Sequence, residues 1–228
     1  MENYKYHMAA HDGNYDVVKD AILNDGKLIT KKDDSGRMVL HWACVGGSKD
    51  LVEMLIEHGA ELDTADETGW TPLICAACAG KLWVVRLLVG RGAVINVQND
   101  GGHSPLQYAA SKNHKEVLSY LLEGGSDINM RDKRGATALH RAASQGHVAS
   151  VALLLQQGHS NCNLRDSQGN TPLHLACEEE RTDVARLLLE AGADDAILNN
   201  EGKTAPQVIP NSLPKRDIPG LGNFYPSK

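Results

Sequence analysis

Cys75 and Cys78 stand three residues apart in a Cys-Ala-Ala-Cys stretch, a spacing that redox thiols and zinc ligands both use. A redox pair needs a helix N-terminus or a cation to form its thiolate, and a structural zinc needs a second ligand pair. Both cysteines instead fall inside a helix-forming apolar stretch. Cys44 and Cys177 occupy the small-residue position that Ala77, Ala110 and Ala143 hold elsewhere, so these thiols read as small core side chains. His7, His41, His140 and His174 recur at regular spacing. A buried imidazole needs hydrogen-bond partners, and each is expected to bond turn backbone and neighbouring helices. Histidines spread in that way do not converge on a metal. No Ser/His/Asp arrangement stands outside the recurring pattern, and every glycine has a turn or cap role, which leaves no phosphate loop. No catalytic residue, metal site or cofactor is expected, and the chain reads as a non-enzyme.

The elements that carry these residues repeat. The tetrapeptide Thr171-Pro172-Leu173-His174 has counterparts at Met38–His41, Thr71–Ile74, Ser104–Gln107 and Thr137–His140. Their leucines, at 40, 73, 106, 139 and 173, lie 33, 33, 33 and 34 residues apart. Tyr6 and Pro206 fill the same slot at the two ends, making seven copies. Four residues before the slot comes a glycine, and seven before it comes Asp or Asn: Asp33, Asp66, Asn99, Asp132, Asp166 and Asn199. Asx followed by x-x-Gly makes a tight turn, because the side chain bonds nearby backbone and glycine accepts positive φ. Thr71 and Thr171 can cap the helix that follows, and proline fits its first position. Ala-Ala pairs let the first helices pack closely. A second, amphipathic helix follows, with Val52, Leu55 and Ile56 or Val184, Leu187 and Leu188 on one side. It closes at Gly59, Gly92, Gly125, Gly158 and Gly192. No single copy can bury that side, so copies must stack.

The Thr-Pro-Leu-His-x-Ala signature at this period resembles the ankyrin-repeat family over roughly residues 1–209. The resemblance implies an all-α solenoid of about seven helix-turn-helix units joined by β-turn fingers. Units fall near 3–35, 36–68, 69–101, 102–134, 135–168 and 169–201, with a partial unit at 202–209. Pro206, Pro210, Pro214 and Pro219 cannot continue a helix interior. The last unit is therefore expected to have at most a short first helix, and residues 210–228 form an irregular Pro-rich tail.

Composition fits a protein-binding stack. The chain of 228 residues carries a formal net charge of −6, against a nucleic-acid partner. No apolar run is long enough to span a membrane, and no signal peptide is visible. The five cysteines form no spaced disulfide framework, as in a reduced, intracellular protein; placement in cytoplasm and nucleus and a monomeric free state are further expectations. Turn tips and the ends of first helices are free of core duty in this design. They offer Asp34 and Arg37; Glu67 and Trp70; Asp100, His103 and Lys112; Lys133, Arg134 and Gln145; and Asn170, Glu178, Glu179, Glu180 and Arg181. Their mixed charge suits a folded protein partner, with Trp70 as an exposed anchor.

Several segments resemble one branch of the family, the gankyrin-type chaperones of the proteasome. They are Gly36-Arg37, Leu40–Cys44, Gly69-Trp70, Tyr108–Asn113, His140–Ala143 and Gly169–Cys177 with Glu178-Glu179-Glu180-Arg181. That resemblance implies chaperoning of base assembly by gripping the C-terminal domain of a regulatory-particle ATPase subunit. Arg37, Glu67, Trp70, Lys112 and Glu179 match the branch's contact positions. Leu175-x-Cys177-x-Glu179 matches an element tied to retinoblastoma-type partners, with Leu175 and Cys177 placed on the packed part of a helix. A different adaptor role, inhibiting a transcription factor or a kinase, is the alternative.

Overall fold

The computed structural model describes residues 2–157 and 159–210; Gly158 and the tail from 211 lie outside the described residues. The described elements are helical. They come in pairs: α1 (Glu2–His11) and α2 (Tyr15–Asn24), α3 (Val39–Gly46) and α4 (Lys49–Glu57), α5 (Pro72–Cys78) and α6 (Leu82–Gly90). The series continues with α7 (Pro105–Ser111) and α8 (Lys115–Glu123), α9 (Ala138–Gln145) and α10 (Val148–Gln156), α11 (Pro172–Glu178) and α12 (Thr182–Glu190). Short 3-10 segments follow α2, at Gly26–Thr30, and close the described chain at Ala205–Gln207. The expected short first helix of the last unit is thus a single 3-10 turn, as prolines there dictate.

Contacts divide the chain into two compact units. One comprises residues 1–109 with 119–126, the other 110–118 with 127–228. Within the first, α1 packs on α3 and α3 on α5, while α2 neighbours α4 and α4 neighbours α6. Within the second, α9 packs on α11, α11 on the closing 3-10 turn, and α10 on α12. Small residues permit the approach of first helices: a Cβ on Gly46 would sit 2.0 Å from the carbonyl oxygen of His11. The core is aliphatic. Leu40, Leu51, Leu55, Leu73 and Leu88 are fully buried in the first unit, and Leu139, Leu154 and Leu173 in the second. Each such side chain contributes about 1.5–3 kcal/mol by leaving water. In α4 the rule is plain: Leu51, Val52, Met54 and Leu55 face inward, while Lys49, Asp50 and Glu57 face solvent.

The cap histidines tie one pair to the next. His41 Nδ1 accepts from the Met38 N–H at 3.1 Å, and Nε2 bonds the Trp70 carbonyl at 3.1 Å. His140 does the same between Thr137 and Asn170, and His174 between Thr171 and Lys203. An Nδ1 that accepts leaves the proton on Nε2, so each ring is neutral and donates forward. Burial is the largest influence on His41, His140 and His174 and holds all three below their ordinary pKa, against the opposing pull of those same bonds. Gln107 and Gln207 occupy the same slot and accept the cap N–H at 2.8 and 2.9 Å through Oε1.

Candidate functional site

Each turn is organised by its Asx side chain. Asp66 Oδ1 accepts from the N–H of Thr68 and of Trp70, both at 2.9 Å. Asp132 does so for Arg134 and Ala136, and Asp166 for Gln168 and Asn170. The turn glycine four before the slot then takes positive φ, as at Gly69 (79°) and Gly169 (78°). Adjacent turns are joined by backbone. Glu67 N–H bonds the Ser35 carbonyl at 3.1 Å and Asp100 N–H the Thr68 carbonyl at 3.1 Å in the first unit. Ser167 N–H bonds the Arg134 carbonyl at 2.8 Å and Asn200 N–H the Gln168 carbonyl at 2.9 Å in the second. The turns are therefore fixed platforms, and side chains at their tips are presented without loop entropy to lose.

In several turns the other atom of the Asx bonds a side chain. Asp33 Oδ2 accepts from Trp42 Nε1 at 2.8 Å, Asn99 Nδ2 donates to Tyr108 Oη at 3.0 Å, and the Arg141 guanidinium donates to Asp132 Oδ2. In all three the partner lies nine residues after the Asx. In the remaining turn of the first unit position 75 is a cysteine, and Asp66 Oδ2 instead accepts from Arg37 Nε at 2.9 Å. Asp66 is pushed up most by burial, yet Arg37 and the N–H groups of Trp70 and Thr68 together hold it below the usual carboxylate range. Burial pushes Asp33 up most, yet the Arg37 N–H, the Trp42 indole, the Ser35 N–H and the charge of His7 together hold it below its ordinary value.

Arg37 is consequently no free tip. Its guanidinium lies 5.5 Å from the Trp42 ring and 5.7 Å from the Trp70 ring. Trp70 in turn stacks on Tyr108 at 4.5 Å, and His103 meets the same Tyr108 at 5.5 Å. Trp70 is only partly exposed, which corrects its expected role as a projecting anchor: it is one layer of a pre-packed cation–aromatic stack. Asn170, expected at the surface, is buried and accepts from Asn199 Nδ2 at 3.0 Å. Trp42, Asp66 and Tyr108 were not anticipated as members of this surface. The signal for Trp42 and Tyr108 was the nine-residue offset from the turn Asx, at which Trp42, Tyr108 and Arg141 each supply a polar atom to it.

The remaining candidates are exposed. Glu67 stands on its turn in the first unit, while Lys112, Lys133, Arg134, Glu178 and Glu179 are exposed in the second. Glu180, at the end of α11, has φ 57° where the corresponding residues are Gly47, Gly80 and Gly146, all of positive φ, and Asn113 at 58°. Arg181 reaches back to the Ser144 carbonyl at 3.2 Å. Leu175 is half-buried and Cys177 fully buried. Burial pushes the Cys177 thiol up to about 12, and it does the same to Cys75, which leaves both as inert thiols at neutral pH. Among the described residues no group of three or more His, Cys, Asp or Glu could hold a metal, and no helix is long and apolar enough to cross a membrane.

Rigid turns on stacked helix pairs, carrying tip side chains of both charges, define a protein-binding scaffold. The chain belongs to the ankyrin-repeat family: a profile of ankyrin repeats in three copies matches residues 6–99, 86–166 and 106–200. Members of that family are typically protein-interaction scaffolds without catalysis. Among curated proteins, the 26S proteasome non-ATPase regulatory subunit 10 of Rattus norvegicus is 44% identical over 54 residues, covering 24% of this chain and 23% of the relative. The Homo sapiens counterpart is 44% identical over 54 residues, covering 24% of each chain. The human Acyl-CoA-binding domain-containing protein 6 is 40% identical over 47 residues, 21% of this chain and 17% of the relative. The matched stretch thus spans less than a quarter of these relatives. Solved structures match over nearly the whole chain. The human ASB11 ankyrin repeat domain has TM-score 0.84 at 26% identity, covering 96% of this chain and 94% of that one. The ankyrin repeat domain of Bcl-3, described as a unique member of the IkappaB protein family, has TM-score 0.78 at 26% identity, covering 93% and 95%.

Proposed function

We propose that this scaffold binds the C-terminal domain of an ATPase subunit of the proteasome regulatory particle and chaperones assembly of the base, in cytoplasm and nucleus. The observation that carries the reading is the exposed run Glu178-Glu179-Glu180. It keeps an acidic residue in a left-handed conformation that glycine takes at Gly47, Gly80 and Gly146. A non-glycine residue at such an angle stores strain of about 1 kcal/mol or more, which is retained where a surface needs the side chain. The short match to the proteasome subunit supports the same partner. Glu67 in the first unit, and Lys112, Lys133 and Arg134 in the second, would read complementary charges and set register. The stack of Arg37 and Trp70 offers pre-ordered aromatic area of the kind that hot spots use. Because Cys177 is buried inside α11, Leu175-x-Cys177-x-Glu179 is not proposed as a docking strand for a retinoblastoma-type protein.

Calorimetric titration of the purified full chain with an isolated ATPase C-terminal domain tests this. Saturable binding should weaken about tenfold in Glu179→Lys and in Lys112→Glu, and should fall as salt rises. Absence of binding, or indifference to both reversals, sinks the reading. The second reading is an adaptor or inhibitor of a transcription factor or kinase. It has its own support in the full-length likeness to Bcl-3.

A further inference from the structure

Helix α6 differs from its neighbours on the outward side. Exposed carboxylates stand on α4 (Asp50, Glu57), on α8 (Glu116, Glu123) and on α12 (Asp183, Glu190); α6, like α10, carries none, and α6 exposes Trp83, Arg86 and, just beyond its end, Arg91. Trp83 is 61% exposed, a large apolar area left in water. Lys49 Nζ lies 4.9 Å from the Trp83 ring centroid, and the Arg86 guanidinium lies 6.0 Å from it and 5.4 Å from the Tyr120 ring. All four residues belong to the first unit.

Arg37, Arg91, Arg141, Arg181 and Arg186 each have a carboxylate oxygen within 4.0 Å. Arg86 and Lys49 form no ion pair among the described residues. Two rings hold the Arg86 guanidinium in place without satisfying its five in-plane donors. A carboxylate is the acceptor whose geometry matches that fork. Pre-ordering of the guanidinium by Trp83 and Tyr120 lowers the entropy lost when an acceptor arrives. The strip Lys49–Trp83–Arg86–Tyr120 therefore pairs two uncompensated cations with exposed aromatic area, and Trp, Tyr and Arg are the residues enriched at binding hot spots.

We propose that this strip on the second helices is a separate docking surface for a short acidic segment of a partner protein. An Asp or Glu of that segment engages Arg86, another approaches Lys49, and an apolar side chain covers Trp83. The surrounding carboxylates argue for a short segment over a long polyanion. Asp50, Glu53 and Glu57 stand on α4, which packs beside α6, and would repel a continuous phosphate backbone. The strip is independent of the turn tips that carry the ATPase reading.

The test uses the full chain and a fluorescein-labelled peptide, Glu-Asp-Leu-Asp-Glu, followed by anisotropy at low salt. Saturable binding is expected. It should weaken about tenfold in Arg86→Ala and in Trp83→Ala. Arg86→Lys should recover only part, since an ammonium keeps the charge and loses the fork. It also preserves side-chain bulk, so it serves as the test if alanine lowers the melting temperature. Binding of the ATPase domain should be unchanged in all three variants, which separates this proposal from the proposed function. Lack of saturable binding by the unmodified chain, or equal affinity in Arg86→Ala and Arg86→Lys variants and the unmodified chain, overturns it. So does tighter binding of the phosphoserine analogue of the peptide or of oligothymidine, since either would assign the strip to phosphate.

Discussion

His140 Nε2 and the carbonyl oxygen of Asn170 lie 3.1 Å apart, thirty residues apart in sequence, and join one helix pair to the turn of the next. Nδ1 of the same ring accepts from the Thr137 N–H at 3.1 Å, and that cap bond exists only while the imidazole is neutral. Protonating Nδ1 would set a donor against a donor.

The pH dependence of stability follows from that geometry. His41, His140 and His174 sit below their ordinary pKa in the folded chain, chiefly through burial. As pH falls through about 6.5, the unfolded chain takes up these protons first, so stability must fall with pH. Urea denaturation at about pH 7 and about pH 5 should show this loss. A His140→Gln, His174→Gln variant should lose less over that interval, because glutamine caps the same slot at Gln107 and Gln207 and does not titrate. An equal loss in the variant would show that other groups carry the dependence.

Asp66→Asn should cost about 1.5–3 kcal/mol, the range for a hydrogen bond to a charged group. Asparagine keeps the Oδ1 acceptor of the turn and points an amide donor at the Arg37 guanidinium. Asn99 tolerates the amide because its partner is the Tyr108 hydroxyl, which can accept. The Asp66 side chain is only 2% exposed, so water cannot compensate. Chemical denaturation of Asp66→Asn, alone and with Arg37→Met, measures the pair: the second change should recover part of the loss.

Glu180→Gly should stabilise the fold by about 0.5–1 kcal/mol, relief of left-handed strain less the added freedom of glycine when unfolded. The same change should weaken ATPase-domain binding if the acidic run is used. A stability gain would show as a raised denaturation midpoint with an unchanged slope.

Thiol labelling should separate the cysteines. Cys75 and Cys177, pushed up to about 12 by burial, have a thiolate fraction at pH 8 on the order of one in ten thousand. Iodoacetamide should spare both in the native chain and modify both in urea. Cys78 is less buried than Cys75 and should react ahead of it. Native labelling of Cys177 at the rate of an unfolded control would contradict its placement.

The period was legible because most units solve the same local problems with the same residues: Asx for the turn, Thr or Ser for the cap, leucine for the slot. The histidines were legible as bonded core groups, though not the direction of their outward bond, which depends on the next turn. The surface was harder to read. Exposure could be assigned to Lys112, Lys133 and Glu179 from their register alone. Register could not show that Arg37 turns to Asp66 of the following turn, because that choice depends on Cys75 being unable to act as the side-chain partner. Nor could it show Trp70 packed against Tyr108, a contact between residues of neighbouring units of the sequence. Asn170 was misplaced for the same reason: its neighbour Asn199 captures it.

The forward-reaching imidazoles set where the chain can be shortened. Each donates to a carbonyl belonging to the turn that follows, so a helix pair that carries one of these histidines borrows its last acceptor from a neighbour downstream. His174 takes its acceptor from Lys203. A deletion beginning at residue 203 would strip that acceptor from an imidazole already buried and committed to donating. The stub at Ala205–Gln207, too short for a helix pair, supplies what the preceding helix pair requires: it buries Ala205 and Pro206 and leaves Gln207 exposed, so the glutamine amide that caps it can turn its own donors to solvent.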